Sequence, residues 1–223
     1  MNRGDNIRRE LQITADGSHT LFLPEMNEHY HSINGAVQES LHVFIEAGLR
    51  HLKKNSIRIL EIGFGTGLNA FLTLQETFAN SSLKIDYYSI ERFPLDEELV
   101  KQLNYAESQT DLFLSLHDAK WGVLEEITDR FSLFKIQGDS NSCELPDGID
   151  LVYFDAFAPD KQPEMWNQDI FNKLYSKTNG NGLLATYCAK GTVRRMIKEA
   201  GYSVERIPGP PGKREMLRAQ KIS

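Results

Sequence analysis

The chain has 223 residues, of which 40% are hydrophobic and 25% are charged, and its formal net charge is −6. This length and composition indicate one globular domain and exclude a disordered chain, and two cysteines are too few for a disulfide framework. No run reaches the ~20 apolar residues of a membrane span, and the first residues lack the apolar segment of a secretory signal. We therefore expect a cytoplasmic protein that does not interact with membranes.

The charge is distributed unevenly along the chain. Residues 190–223 hold nine Lys or Arg and three Glu, a net charge of +6, whereas residues 1–189 carry a net charge of −12. The acidic body argues against a protein that coats nucleic acid indiscriminately. The basic end has two interpretations: it binds a polyanion, or it is a solvated surface helix and tail.

We predict a single domain over residues 1–223. In this domain, residues 1–55 form an extension that precedes the core. Alternating apolar residues on both sides of Asp16-Gly17 predict a β-hairpin. Leucine, isoleucine and phenylalanine recur at helical spacing between residues 39 and 53 and predict a helix there.

Residues 56–223 alternate between predicted strands and helices. Apolar runs predict strands at 57–60, 84–91, 131–136, 149–155, 182–188, 202–207 and 215–219. Helical spacing predicts helices at 68–78, 96–103, 164–176 and 192–200, with shorter helical pieces at 112–116 and 123–127. The alternation is typical of an α/β fold with a mostly parallel sheet, and the last two strands predict an antiparallel strand at its C-terminal end. Such sheets bind ligands at the carboxyl ends of their strands.

A glycine-rich loop follows the first core strand and leads into a helix. Gly63, Gly65 and Gly67 allow a ligand to approach the backbone closely. A dinucleotide fingerprint requires glycine at position 68, which is Leu68, and the nearby acid Glu61 is a poor neighbour for a pyrophosphate. A ligand with a cationic centre and no phosphate fits better, and S-adenosylmethionine is such a ligand.

Three acidic residues end the next predicted strands. Glu91 is placed to accept hydrogen bonds from ribose hydroxyls and Asp139 from an adenine amino group, although a strand-end acid can also be a simple surface residue. Asp155 is placed to orient an amine that accepts a methyl group and to stabilise the cation that develops. The local sequence leaves open whether Asp155 instead caps the following helix or pairs with Lys161.

Four stretches carry a resemblance to a known family: residues 35–44, residues 60–69, residues 154–166, and residues 191–195 together with 199–202 and 212–217. The most restrictive motifs are Phe-Ala-Pro-x-Lys-x-Pro-x-Met-Trp at 157–166 and Gly-Lys-Arg-Glu-Met at 212–216. The chain resembles the tRNA (5-methylaminomethyl-2-thiouridine) methyltransferases, which form the methyltransferase half of a bifunctional wobble-uridine enzyme. The resemblance extends from about residue 15 to residue 219.

The resemblance implies a class I S-adenosylmethionine-dependent methyltransferase fold, which is Rossmann-like. It also implies methylation of 5-aminomethyl-(2-thio)uridine to the methylaminomethyl form at the tRNA wobble position, with Asp155 at the acceptor amine. The residues predicted to bind the cofactor are Glu61, Gly63, Phe64, Gly65, Gly67, Asn69, Glu91 and Asp139.

A tRNA substrate gives the basic end a role, because its cations can bind phosphates of the anticodon stem-loop. The wobble base must then leave its stack and enter a pocket, where aromatic rings can hold it. The residues predicted to contact the substrate are Phe157, Lys161, Trp166, Arg194, Arg195, Lys213 and Arg214, with Tyr187 as a further aromatic candidate. Each aromatic residue can equally belong to the core.

The bifunctional enzyme of this family has a flavin-dependent oxidase half, for which this sequence offers no second glycine-rich fingerprint. We therefore expect a standalone methyltransferase without flavin, whose substrate comes from a separate oxidase or from upstream modification enzymes. We expect no metal, because His29 and His31 lack a further cluster of ligands.

Three alternatives stay open at this stage. A methyltransferase for a small-molecule amine would not need the basic end. A nicotinamide oxidoreductase is disfavoured by Leu68 and Glu61, and a binding protein without catalysis is disfavoured by the intact acids Glu61, Glu91 and Asp155.

Overall fold

The computed structural model describes residues 7–222, so residues 1–6 and 223 of the predicted 1–223 domain lie outside the described part. Two sheets form. The strands are β1 (Glu10–Ile13), β2 (His19–Leu23), β3 (Glu28–His29), β4 (Ser56–Ile62), β5 (Lys84–Glu91), β6 (Leu124–Thr128), β7 (Phe131–Gln137), β8 (Ile149–Phe154), β9 (Thr178–Thr186), β10 (Ser203–Pro208) and β11 (Glu215–Gln220).

Helices connect most of the core strands. They are α1 (Ala36–Ser40), α2 (Leu68–Ala79), α3 (Glu97–Val100), α4 (Thr110–Asp118), α5 (Gln168–Lys177) and α6 (Gly191–Glu199). Within residues 7–222, none of the helices combines the length and the apolar character needed to cross a membrane.

The larger sheet has the strand order β10-β11-β9-β8-β4-β5-β7-β6. Its five central strands are parallel, whereas β11 is antiparallel to both of its neighbours and β6 is antiparallel to β7. The mostly parallel sheet with an antiparallel C-terminal strand is therefore confirmed. After β4, the strands β5 and β7 are added on one side of it. After β8, which lies on the other side of β4, strand β9 is added still further to that side. Ligands bind at such a reversal of strand order, here between β4 and β8.

Both faces of the sheet are covered. Side chains alternate along β4, so that Ile57 and Ile59 join one apolar cluster, whereas Leu60 and Ile62 join the other. The first cluster packs against α1, α2 and α4, and the second packs against α5 and α6. All six residues of β8 are buried, as expected for a strand that is covered on both faces.

The N-terminal extension packs against the core beside the glycine-rich loop. The predicted hairpin is confirmed, since β1 and β2 pair antiparallel and Leu21 joins the first apolar cluster. His31 Nε2 lies 2.7 Å from the Thr66 hydroxyl, and the Arg9 guanidinium donates to the Phe93 carbonyl at 2.8 Å. The extension therefore forms one side of whatever site the loop builds.

Two local predictions were wrong. The helical piece predicted at 123–127 is instead the edge strand β6 (Leu124–Thr128), although Val123 and Leu124 are 44% and 57% exposed. The spacing of the apolar residues in this segment is like that of a helix. The segment is a strand because it pairs with β7. The predicted helix over 39–53 starts earlier, at Ala36, continues as a π-helical turn (Leu41–Glu46) and ends in a short 3-10 turn.

Candidate active site

The glycine-rich loop lies at the carboxyl end of β4, where it contacts the end of β8. Gly63 has φ of 95°, a conformation that L side chains rarely adopt. A Cβ atom at Gly63 would lie 2.8 Å from the Asp155 carbonyl oxygen. Gly67 has φ of 73° and precedes α2. Glycine is therefore required at Gly63 for both backbone conformation and space.

The Glu91 carboxylate holds this loop against the end of β5. Glu91 Oε2 accepts from the Gly65 amide at 3.0 Å, and Oε1 accepts from the Phe93 amide at 2.7 Å. Each oxygen keeps a further lone pair for a ligand. Asp139, just beyond β7, is similarly ordered, because its Oδ1 accepts from the Asn141 amide at 2.9 Å.

These strand ends enclose a first cavity of about 300 Å³. Its lining includes Gly63, Phe64, Gly65, Glu91, Asp139 and Asp155. The volume is at the lower end of the range for small-molecule sites. A glycine cradle without side chains, a carboxylate at the end of β5 and a second carboxylate past β7 suit an adenosine with a methionine-like tail. Five of the predicted cofactor residues thus come together here.

Two other predicted cofactor residues lie in the interior. Glu61 is 0% exposed, and its Oε2 accepts from the Ser89 hydroxyl at 2.7 Å. Burial, together with the nearby Asp155, raises the pKa of Glu61 to about 8 although hydrogen bonds such as that from Ser89 oppose the rise, so the carboxyl is mostly protonated at pH 7. Asn69 is also buried, and its amide donates to Asp155 Oδ2 at 2.8 Å. Direct contact of Glu61 or Asn69 with a cofactor stays a prediction.

Asp155 follows β8 and has an unusual environment for a carboxylate. Burial, together with the negative charge of Glu39, raises the pKa of Asp155 to about 7, although the Asn69 hydrogen bond and Lys213 oppose the rise. Because Lys161 donates to the Met26 carbonyl at 3.0 Å, the alternative in which it pairs with Asp155 is not what the structure contains. Asp155 is therefore positioned to change protonation near neutral pH.

A second cavity of about 280 Å³ shares Asp155 with the first. Tyr30, His31 and Phe157 also line both cavities, while Glu39 and Tyr187 line the second. The second cavity therefore combines carboxylates with aromatic rings. Such walls suit a flat molecule that carries an amine, with the amine directed toward Asp155.

The predicted substrate residues divide into those at the second cavity and those elsewhere. Phe157 lines the cavity, with its ring 5.1 Å from that of Tyr30 in an edge-to-face arrangement. Trp166 is 6% exposed in the second apolar cluster and donates from its indole to the Phe157 carbonyl at 2.7 Å. This placement argues against the predicted stacking role of Trp166, because its ring is already packed in the core. Lys161 instead joins its loop to the β2–β3 turn through the Met26 carbonyl.

The basic residues also separate. Arg195 and Arg214 are exposed, whereas Arg194 is partly buried. Arg194 and Arg195 both lie on α6. Lys213 instead turns into the second cavity, where it pairs with Glu39. Phosphate binding by the three arginines stays a prediction, whereas the structure gives Lys213 a different environment from theirs.

The sequence did not predict the part of the site that the extension supplies. Tyr30 and His31 line both cavities, and Glu39 lines the second. The only signal was that Glu39 lies in one of the stretches that carry the resemblance. Burial lowers the pKa of His31 to about 4, so this histidine is neutral at pH 7. Across residues 7–222, no group of three His, Cys, Asp or Glu side chains is arranged to hold a metal ion.

Comparison with known proteins decides the family. Residues 84–222, more than half of the chain, match the model of a family described as S-adenosyl-L-methionine-dependent methyltransferase. The chain belongs to this methyltransferase family. The glycine cradle, the first cavity and the two strand-end carboxylates fit the donor that the family uses.

Curated relatives of the methyltransferase are about 30% identical to it. The tRNA 5-methylaminomethyl-2-thiouridine biosynthesis bifunctional protein MnmC of Leptospira interrogans is 31% identical over 86% of this chain and 32% of its own length. The protein of the same name from Ralstonia nicotianae is 33% identical over 92% of this chain and 33% of its own length. The methyltransferase thus spans about a third of the length of the curated relatives it matches.

Solved structures agree with the predicted fold. The crystal structure of MnmC2 from Aquifex aeolicus has a TM-score of 0.82 and 28% identity over 96% of this chain and 71% of that chain. Spermidine synthase from Thermotoga maritima has a TM-score of 0.60 at 12% identity over 99% of this chain and 70% of that chain, a likeness of fold alone. The methyltransferase therefore has the predicted α/β fold of S-adenosylmethionine-dependent enzymes.

The buried Glu61 predicts a pH-dependent stability. Its pKa rises from the ordinary 4.5 to about 8 on folding, so the folded state binds more protons than the unfolded state between these values. The contribution of Glu61 to the free energy of unfolding is fully present below pH 4.5 and is lost as the pH rises toward 8. We expect Glu61→Gln to remove this loss, which approaches about 1.4 kcal/mol per pH unit. Urea unfolding of both proteins from pH 5 to pH 9 measures the difference.

The exposed Glu97 provides the matched control, since Glu97→Gln makes the same substitution at the surface. It should leave the pH dependence of the unfolding free energy unchanged. If Glu61→Gln and the parent protein lost stability in parallel over this pH range, Glu61 would be ionised in the folded state and its assignment as a protonated group would be wrong.

Proposed function

We propose that this protein transfers a methyl group from S-adenosylmethionine to the amine of 5-aminomethyl-(2-thio)uridine at the wobble position of tRNA, in the cytoplasm. The observation that carries the proposal is the position of Asp155 in the wall shared by the two cavities. One cavity suits the donor, and the other suits a planar amine. The names of the relatives, which refer to 5-methylaminomethyl-2-thiouridine in tRNA, support the choice of amine.

The residues of the first cavity would hold the donor by complementary polar groups. Glu91 has lone pairs for the ribose hydroxyls, and Asp139 has a carboxylate for the adenine amino group. The loop at Gly63 leaves room for the methionine part. When bound, S-adenosylmethionine supplies an electrophilic methyl group on a sulfonium.

Asp155 prepares the acceptor. An amine attacks only when its nitrogen lone pair is free, and an ordinary alkylammonium has a pKa of ~10. An ionised Asp155 accepts a hydrogen bond from the amine and stabilises the positive charge that develops on the nitrogen. The Asn69 amide fixes the orientation of the carboxylate through its 2.8 Å hydrogen bond to Oδ2. The chain therefore contributes mainly positioning and charge.

A tRNA substrate is supported by cations on the carboxyl side of the sheet, of which Arg195 and Arg214 are exposed and Arg194 is partly buried. Arg194 and Arg195 lie in the first turns of α6, which follows β9, and Arg214 precedes β11. Contacts from these residues to phosphates would make tRNA binding fall steeply as the salt concentration rises. The aromatic walls of the second cavity would receive the unstacked wobble base.

The decisive experiment follows a labelled methyl group from S-adenosylmethionine. We expect transfer to tRNA that carries 5-aminomethyluridine, no transfer to the same tRNA with unmodified uridine, and a product nucleoside identified as methylaminomethyluridine by mass spectrometry. Transfer to free small amines but not to the modified tRNA would contradict the proposal and favour a small-molecule methyltransferase.

Two further expectations accompany the proposal. We propose that the protein uses no flavin, and that a separate oxidase or an upstream modification enzyme supplies its substrate. A visible absorption spectrum of the purified protein tests the first, since bound flavin would contradict it. Wobble nucleosides from cells that lack this protein test the second, because an aminomethyl nucleoside should accumulate.

A further inference from the structure

Lys213 and Glu39 bring two charged side chains into the second cavity from opposite ends of the chain. The Lys213 ammonium donates to Glu39 Oε1, and it lies 3.9 Å from the centre of the Tyr187 ring. Glu39 Oε2 accepts from the Ser32 amide at 2.8 Å. Glu39 is 7% exposed and the Lys213 side chain 32%, and both residues line the second cavity, so the pair belongs to the wall of that cavity.

The surrounding backbone holds the pair in this place. His42 Nε2 lies 2.8 Å from the Pro208 carbonyl oxygen, which connects the turn after α1 to the end of β10. Gly212 has φ of 84° and is pressed against the Asn34 side chain so closely that a Cβ atom would overlap it. The β10–β11 loop is thus fixed, and Lys213 points inward.

The chemistry of the pair selects the kind of group it can bind. Because the two charges neutralise each other, the pair offers little attraction to an anion such as phosphate. The ammonium still has N–H groups to donate, and the carboxylate still has lone pairs to accept. A donor beside an acceptor, in a cavity with aromatic walls, is complementary to a flat neutral ring that carries an adjacent acceptor and donor.

We infer that Lys213 and Glu39 determine base specificity by binding one edge of the acceptor uracil ring: Lys213 donates to O4, and Glu39 accepts from N3–H. This inference rests on the proposed function and names the recognition that it requires. The 2-thio group does not alter O4 or N3–H, so ring binding is the same with oxygen or sulfur at position 2. Cytosine presents an amino group and an unprotonated nitrogen at these positions. The donor and the acceptor are thereby exchanged, so the binding of cytosine is disfavoured.

A binding experiment tests the inference without depending on turnover. Three anticodon stem-loop RNAs differ only at the wobble base, which is 5-aminomethyluridine, its N3-methyl derivative or 5-aminomethylcytidine. Calorimetry measures their binding to the protein saturated with S-adenosylhomocysteine. We expect the second and third RNAs to bind about 10- to 100-fold more weakly than the first, the range for a hydrogen bond to a charged group.

Variants separate recognition from a merely structural link between the loops. The double variant Glu39→Leu/Lys213→Met removes both charges and leaves neither unpaired, and it should bind all three RNAs within about threefold of one another. Lys213→Arg keeps a donor and should keep the discrimination. Thermal unfolding checks that each variant is folded.

Equal binding of the three RNAs by the parent protein would overturn the inference, whether or not the double variant folds. Undiminished discrimination by a folded double variant would overturn it as well. A parallel methyl-transfer assay on the first RNA separates the two hypotheses. Transfer without discrimination contradicts only the inference, and discrimination without transfer contradicts only the proposed function.

Discussion

Asp155→Asn is expected to lower kcat by about 10²- to 10⁴-fold, the usual contribution of a positioned acid or base. The substitution keeps the shape of the side chain and an oxygen that can accept from the Asn69 amide. It removes the negative charge that would orient the amine and stabilise the developing cation. Affinity for S-adenosylmethionine should stay nearly unchanged, because the cavity keeps its form. Single-turnover kinetics and calorimetry measure the two quantities separately.

Asp160 offers the matched control for this substitution. It lies in the same loop and is exposed, where it pairs with Lys190. Asp160→Asn should leave kcat unchanged. Turnover by Asp155→Asn at the rate of the parent protein would contradict the role assigned to Asp155.

The pH dependence of the reaction gives an independent readout. Since the pKa of Asp155 is raised to about 7 mainly by burial, its carboxylate forms only as the pH passes through neutrality. We expect kcat/KM of the parent protein to rise with pH over this range and the contribution of Asp155 to that rise to vanish in Asp155→Asn. The substrate amine titrates at higher pH, so it adds a second, separate limb to the profile.

Gly63→Ala is expected to have the second large effect. Its Cβ atom would lie 2.8 Å from the Asp155 carbonyl oxygen, and the residue would keep a φ of 95°. The loop must then move away from the end of β8, which displaces the donor site relative to Asp155. We expect turnover to fall by about 10²-fold and the free energy of unfolding to fall by about 1–3 kcal/mol. Turnover assays and urea unfolding measure these changes.

Gly122 separates backbone strain from the loss of space. Its φ is 74°, and nothing lies within 4 Å of a Cβ atom placed on it. Gly122→Ala should therefore lower stability by about 1–2 kcal/mol while turnover and donor affinity stay at their original values. Equal turnover in Gly63→Ala and the parent protein would mean that the loop tolerates a side chain, and the cradle interpretation would fail.

The position of Asp155 links the two halves of the proposed reaction. The Asp155 side chain lines both cavities, and the Asn69 amide from α2 fixes its orientation. Burial, together with Glu39 from the extension, raises the pKa of Asp155. Donor and acceptor would thus meet at one titratable group. This arrangement explains how a fold shared with other S-adenosylmethionine-dependent enzymes can be directed to a particular amine, since the extension supplies much of the second cavity.

Sequence patterns predicted the elements whose side chains repeat with a clear period. The hairpin at Asp16-Gly17, the parallel strands, and the loop at Gly63 were all predicted at or near their observed positions. Strand ends of a parallel sheet meet at one edge, so Glu91 and Asp139 could be assigned to a single site without coordinates. Edge strand β6 was missed because its Leu124 is exposed and its identity depends on pairing with β7.

The sequence by itself determined most of the strands and helices, the glycine cradle and the acids at the strand ends, because these depend on local periodicity and on residues close together in the chain. Only the tertiary structure decided which cations face solvent and which face the site. Lys213 pairs with Glu39 across 174 positions, whereas its neighbour Arg214 is exposed. Trp166 likewise packs in the core and supports Phe157. Contacts between distant segments depend on how whole elements pack, and composition and spacing carry no record of that packing.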